Sequence, residues 1–212
     1  MIARLHYITQ DMPGKTHVQL VQEACVHGAR WVQLRLKNRS EAECKLIALQ
    51  ALDICRKHGA KLIINDHSHL AKEIGAHGMH LGKEDMSTAL ARKEFGNDFI
   101  IGGTANTFED IKMHVAAGVD YIGLGPFRHT VTKAKLSPVL GLEGYKRIME
   151  QCAKEQIQIP VIAIGGIIPG DVSGLMEAGL YGIAVAGYVN YAQNKAEAVQ
   201  QFLSVLEPVS KK

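Results

Sequence analysis

Thr130, Thr132 and Lys133 close the stretch YIGLGPFRHTVTK, Tyr121 to Lys133, in a T-x-T-K pattern. The stretch opens as an apolar strand over Tyr121 to Gly123 and turns at Gly125-Pro126 before reaching them. Two hydroxyls and an ammonium on a glycine-hinged loop suit a phosphorylated or pyrophosphorylated ligand. The lysine supplies a point charge, and the threonines donate to phosphate oxygens. Asn65-Asp66 and Glu84-Asp85 add carboxylates. Asp66 and Asp85 could share one Mg2+, which takes one or two carboxylates and completes its shell with waters and phosphate oxygens. Either aspartate alone could instead cap the helix that follows it.

Further polar residues stand at the ends of apolar runs. Gln33, Arg35 and Lys37 alternate, so they point one way from a strand. Three long polar side chains on one core face are costly without a ligand. A salt-bridged barrel floor is the structural alternative. His80 ends the run GMHL, where it either packs or touches a substrate. Thr104 and Asn106, in GGTANT, offer donors, although Asn106 also suits a turn. Gly165-Gly166 and Gly187 follow two late runs and open the backbone for N–H groups. His17, His58 and His114 lie in helical or loop stretches and read as surface residues.

The elements that must position these groups alternate along the chain. Strands are expected at Leu5–Thr9, Trp31–Arg35, Lys61–Asn65, Gly78–Leu81, Phe99–Gly103, Tyr121–Gly123, Pro160–Ile164 and Gly182–Val185. Helical spacing separates them, as in Cys44, Ile47, Ala51, Ile54 and Cys55. Ser40 with Glu43, Thr107 with Asp110, and Asp171 after Pro169 signal helix starts. Gly28, Gly59, Gly75, Gly118 and Gly179 stand where helices should stop. Eight alternating units predict an α/β fold, a single (β/α)8 TIM barrel over residues 1–212. An open doubly wound sheet is the alternative, but no G-x-G-x-x-G follows the first run. In a barrel, the residues above gather at one mouth, and glycines after strands 7 and 8 mark the usual phosphate site.

Bulk properties narrow the function. A formal charge of +3 on 212 residues, with one Trp and five Phe, offers no basic and aromatic tract for nucleic acid. No apolar run approaches a membrane span, and MIARLHYITQ reads as a first strand rather than a signal peptide. Cys25, Cys44, Cys55 and Cys152 form no C-x-x-C and read as reduced thiols in a cytoplasmic protein.

Taken together, QLRLK at 33–37, IINDHSHLA at 63–71, GMHLGKEDM at 78–86, DYIGLGPFRHTVTK at 120–133 and PVIAIGGI at 160–167 resemble the thiamine-phosphate synthase (thiamine-phosphate pyrophosphorylase) family. The resemblance runs from about Tyr7 to about Val189. It implies a barrel that joins hydroxymethylpyrimidine pyrophosphate to hydroxyethylthiazole phosphate, giving thiamine monophosphate and pyrophosphate. By resemblance, Arg35, Lys37, Asn65 and Lys133 grip the pyrophosphate, and Asp66 and Asp85 hold Mg2+. Gln33 and His80 lie against the pyrimidine, and Thr104 stands where the family usually has serine. Thr130 and Thr132, with backbone at Gly166, Ala186 and Gly187, take the thiazole phosphate. The sequence departs from the family at T-A-N-T (104–107), and at Gly187, Lys83 and His77. The partners implied are two small molecules, with room for a homo-oligomer.

Three rival readings stand beside this one. A thiazole tautomerase shares the barrel but expels no pyrophosphate, and the charged set Arg35, Asp66, Asp85 and Lys133 argues against it. A phosphate-ligand-binding barrel without turnover would use the same charges for affinity alone. A sugar-phosphate isomerase would want a carboxylate or histidine proton shuttle, for which the sequence offers no convincing pair.

Overall fold

The computed structural model describes residues 1–129 and 138–206. Its eight strands are β1 (Leu5–Ile8), β2 (Trp31–Leu34), β3 (Lys61–Asn65), β4 (Gly78–Leu81), β5 (Ile100–Ala105), β6 (Tyr121–Leu124), β7 (Val161–Ile164) and β8 (Gly182–Val185). They pair in parallel in chain order, and β8 closes on β1 through Leu5–Ile183 and Tyr7–Val185. This is the expected closed barrel. Strands covered on both sides carry few exposed positions, so most of their residues are buried.

The connecting helices are α1 (His17–Val26), α2 (Glu41–Lys57), α3 (Ser68–Glu73), α4 (Thr88–Phe95), α5 (Phe108–Ala116), α6 (Gly141–Lys154) and α7 (Val172–Glu177). A short α8 (Gly187–Asn190) and a longer α9 (Lys195–Leu206) follow β8. Ser40 with Glu43, and Thr107 with Asp110, form reciprocal capping boxes at α2 and α5. Asp171 ends a 3-10 turn before α7 and accepts from the Ile168 N–H at 2.8 Å.

Two layers make the core. Leu20, Val21, Leu52, Ile64, Met79, Ile101, Ile111 and Phe202 pack between strands and helices. Inside the barrel lie Ile8, Trp31, Ile63, Tyr121, Ile162 and Ala184. His6 stacks on Trp31 with centroids 4.5 Å apart, and Tyr121 meets both rings edge-on. These rings fill the barrel below its mouth.

The fifth strand corrects the expected boundary. Gly102-Gly103 lies inside β5, which continues through Thr104 and Ala105. The glycines make room for rings rather than for a turn. A Cβ on Gly102 would stand 2.2 Å from the Tyr121 ring inside the barrel, and one on Gly103 would stand 2.6 Å from the His114 ring. His114 is therefore buried, at 6% exposure, and not on the surface. It reaches Thr88 Oγ1 at 3.1 Å and the Thr104 carbonyl at 3.0 Å. His17 is likewise buried, at 3% exposure, and His58 is half-buried. The four cysteines are free and buried.

Candidate active site

Side-chain alternation along the strands delivers the site. Gln33 from β2, Asn65 from β3, His80 from β4, Thr104 from β5 and Gly123 from β6 point into the barrel, with Arg35 just beyond β2. With His6, Ile8, Tyr121, Ile162, Ile164 and Ala184, they line a narrow cavity at the C-terminal ends of the strands. Gln33 donates to Asn65 Oδ1 at 2.7 Å, so this part of the face is an amide pair. His80 Nδ1 lies 3.1 Å from the Tyr121 hydroxyl, and its Nε2 lies 3.0 Å from Thr104 Oγ1. The imidazole is thus held on both sides over the cavity. Gly123 keeps the space beside it open, since a Cβ there would stand 3.1 Å from His80 Cε1.

The rim carries the charges. Asp66 follows β3 in the left-handed region (φ 67°), which aspartate tolerates better than most residues. Its N–H donates to the His80 carbonyl at 3.0 Å, which extends the β3–β4 pairing one residue past the end of β3. Asp85 accepts from the Gly82 N–H at 2.6 Å. A Cβ on Gly82 would stand 3.0 Å from Asp85 Oδ2 and 4.0 Å from Asp66 Oδ1, so the two carboxylates flank that glycine. Neither aspartate caps a helix: His67 precedes α3 without a side-chain cap, and Ser87 caps α4.

Burial pushes the Asp66 carboxyl up to about 7, and the neighbouring Asp85 carboxylate adds to the rise. The charges of Arg35 and Lys37 pull Asp66 the other way, more weakly than burial and Asp85 raise it. Arg35 is half-buried and Lys37 exposed. Among the described residues no group of three or more His, Cys, Asp or Glu side chains could hold a metal ion. The donors at the rim are therefore two carboxylates that crowd each other's charge. That set suits a hard divalent cation, which would take the place of the proton that Asp66 retains.

On the opposite side, Gly165 and Gly166 follow β7 with φ of 108° and 69°. Gly165 lies under the β6 loop, where a Cβ would stand 2.8 Å from Pro126 Cα. Arg128 forms a two-pronged ion pair with Asp171 at 2.8 Å and also donates to the Gly166 carbonyl. Ala186 and Gly187 stand at the start of α8, and the Ala186 carbonyl accepts from the Asn190 N–H at 2.9 Å. Thr130, Thr132 and Lys133 lie outside the described residues. Asn106 serves the turn: its amide donates to the Gly125 carbonyl, and its N–H donates to Asp110 at 2.8 Å. Lys83 pairs with the same Asp110 carboxylate at 2.6 Å.

The structure thus gathers Gln33, Arg35, Asn65, His80 and Thr104 around one cavity, with Lys37, Asp66 and Asp85 at its rim. Sequence reading missed His6 and Tyr121 as cavity rings. The alternation His6, Ile8 along β1 was the signal available for the first. It also missed Thr9 and His17, whose contacts cross between loops.

Fold and site together define a (β/α)8 barrel with a polar cavity inside its strands, the side on which barrel enzymes carry their active sites being the C-terminal mouth. A family model described as thiamine monophosphate synthase matches residues 5–189. The thiamine-phosphate synthase of Bacteroides fragilis is 46% identical over 201 residues, covering 95% of this chain and 98% of that one. That of Flavobacterium johnsoniae is also 46% identical, with 95% of each chain covered. The solved thiamine phosphate pyrophosphorylase of Pyrococcus furiosus superposes with a TM-score of 0.84 at 31% identity, over 96% of this chain and 95% of that one. The chain belongs to the thiamine monophosphate synthase family, and it is a transferase.

Proposed function

We propose that this protein condenses hydroxymethylpyrimidine pyrophosphate with hydroxyethylthiazole phosphate, releasing pyrophosphate and forming thiamine monophosphate. The observation that carries this reading is the paired carboxylates Asp66 and Asp85 beside Arg35 and Lys37, at the rim of the Gln33, Asn65, His80 and Thr104 cavity.

In the proposed reaction the bond from the pyrimidine methylene to pyrophosphate breaks, and its electron pair leaves with the pyrophosphate. The thiazole nitrogen then gives its lone pair to that carbon and becomes quaternary. The electron-rich aminopyrimidine can carry the intervening positive charge, so no protein nucleophile is needed. The chain's task is to steady about three negative charges on the leaving group, which Arg35, Lys37, Asn65 and Lys133 would do. Asp66 and Asp85 would hold Mg2+, which supplies further charge neutralisation at the pyrophosphate when bound. Gln33 and His80 would orient the pyrimidine, and Thr104 would meet the pyrophosphate. Thr130 and Thr132, with backbone at Gly166, Ala186 and Gly187, would seat the thiazole phosphate. Fixing both substrates in one water-poor cavity then favours nitrogen attack over hydrolysis. We place the enzyme in the cytoplasm, with two small-molecule partners and no nucleic acid or membrane. Among the described residues no helix is long and apolar enough to cross a membrane.

The test is direct. The purified protein, given both esters and Mg2+, should release pyrophosphate and thiamine monophosphate in equal amounts. A folded protein that makes neither, or that isomerises the thiazole phosphate without the pyrimidine, would overturn the reading.

A further inference from the structure

Thr9 directly follows β1 and is fully buried, yet its hydroxyl is committed in two directions. Its Oγ1 accepts from the Arg35 N–H at 3.0 Å and lies 2.9 Å from His17 Nδ1. The Arg35 amide can only donate, so the single hydroxyl proton of Thr9 is free to go to His17. His17 Nδ1 is then the acceptor, and Nε2 carries the ring proton. That proton points at Asp11 Oδ1, 3.1 Å away. The same Asp11 oxygen takes a hydrogen bond from Arg39 at 2.6 Å. Donation therefore runs from the Arg35 N–H through Thr9 and His17 to Asp11, and Arg39 donates to the same Asp11 oxygen from the other side.

This chain pins a short segment at both ends. Arg35 is held by its backbone and Arg39 by its guanidinium, while Ser40 caps α2 immediately afterwards. Lys37 lies between the anchors, next to Asn38 in the left-handed region (φ 53°). His17 comes from α1, so the relay draws the first helix against the loop after β2. Burial holds His17 below its usual value, and Asp11 only partly restores it, which keeps the ring neutral with one donor and one acceptor. A buried threonine and histidine cost more than apolar residues of equal size unless their polarity is used.

We propose that Thr9, His17 and Asp11 act as a positioning relay that sets the Arg35–Arg39 segment for pyrophosphate. The proposal rests on the synthase reading for the identity of the anion, but its test does not need turnover. Binding of inorganic pyrophosphate with Mg2+ is measured by calorimetry for the wild type, Thr9→Val and Thr9→Ser. Valine keeps the shape and removes the hydroxyl; serine restores it. Thr9→Val should weaken pyrophosphate binding about tenfold, the scale of one buried hydrogen bond, and Thr9→Ser should recover most of it. With both substrates present, KM for the pyrimidine ester should rise while KM for the thiazole phosphate stays unchanged. Equal losses for both substrates, or wild-type binding by a folded Thr9→Val, would overturn the relay. Asp11 is about half exposed, so Asp11→Asn tests the far end with little risk to folding. It should weaken pyrophosphate binding about threefold, by softening the hold on Arg39, and no change would count against the relay. If the wild type binds pyrophosphate but makes no product, the synthase reading falls and the relay stands or falls on binding alone.

Discussion

Asp66 and Asp85 give the sharpest quantitative handle on the site. Asp66 is pushed up to about 7, first by burial and then by Asp85. A metal that binds the pair must therefore displace a proton at mildly acid pH. With a midpoint of 7, about nine-tenths of Asp66 is protonated at pH 6 and about one-tenth at pH 8. The apparent Kd for Mg2+ should then be about tenfold weaker at pH 6 than at pH 8. Calorimetry of Mg2+ alone, in two buffers of different ionisation enthalpy, reads both quantities. Proton release should be close to one per metal at pH 6 and close to zero at pH 8. The metal-free protein should show the matching stability trend. The folded value lies above the ordinary aspartate value of 3.8, so the folded state holds the extra proton between them. This contribution is fully present below about pH 4 and is lost as pH rises through about 7. Asp85→Asn removes the neighbouring charge and one of the two proposed ligands. It should weaken Mg2+ at every pH and flatten the slope between pH 6 and 8. A wild-type Kd that is constant over this range, with no proton released, would refute the argument that the two carboxyls crowd each other.

Other substitutions separate the parts of the site. Lys133→Ala should lower kcat by about 10²- to 10³-fold with the fold intact, the cost of losing one preorganised charge on a leaving group; a rate within tenfold of wild type would remove Lys133 from the clamp. Gly123→Ala places a Cβ 3.1 Å from His80 Cε1 and should raise KM for the pyrimidine ester while leaving pyrophosphate binding unchanged. Gly103→Ala drives a Cβ to 2.6 Å from the His114 ring and should destabilise the fold by about 1–3 kcal/mol in chemical denaturation, without a specific effect on either substrate.

The barrel was legible because each βα unit carries its own signals. Periodicity, the Ser40 and Thr107 boxes and the five helix-ending glycines all act locally, and all were found where the sequence puts them. The errors arose where a residue's role depends on a distant neighbour. Gly102-Gly103 looks like the end of a strand because glycine weakens strands in isolation. Its real partners, Tyr121 and His114, lie 19 and 11 residues away from Gly102 and Gly103 respectively. His114 and His17 looked like surface residues because nothing local marks their burial. Asp66 and Asp85 looked equally able to cap a helix, and only the structure shows His67 and Ser87 in those positions. The charged rim was readable as a set because alternation along a strand is a local rule, whereas its mutual geometry comes from closure of the sheet.

Closure also explains why the site separates charge from rings. Inside the barrel, burial holds His6 neutral by lowering it to about 3, and it pushes the Tyr121 phenol upward so that it keeps its proton. Trp31 stacks on His6 and meets Tyr121 edge-on, without a charge of its own. The floor of the cavity is thus uncharged and aromatic, while Arg35, Lys37, Asp66 and Asp85 stand at the rim where water and ions can reach them. A substrate with a flat heterocycle at one end and a pyrophosphate at the other fits that division, with the ring inward and the phosphates outward. In that orientation the bond between them lies at the boundary of the two regions. In the proposed reaction, positive charge developing on the ring would face uncharged aromatic rings, with the Lys61 ammonium on the Trp31 ring 5.8 Å from its centroid, and the departing negative charge would meet Arg35 and Lys37.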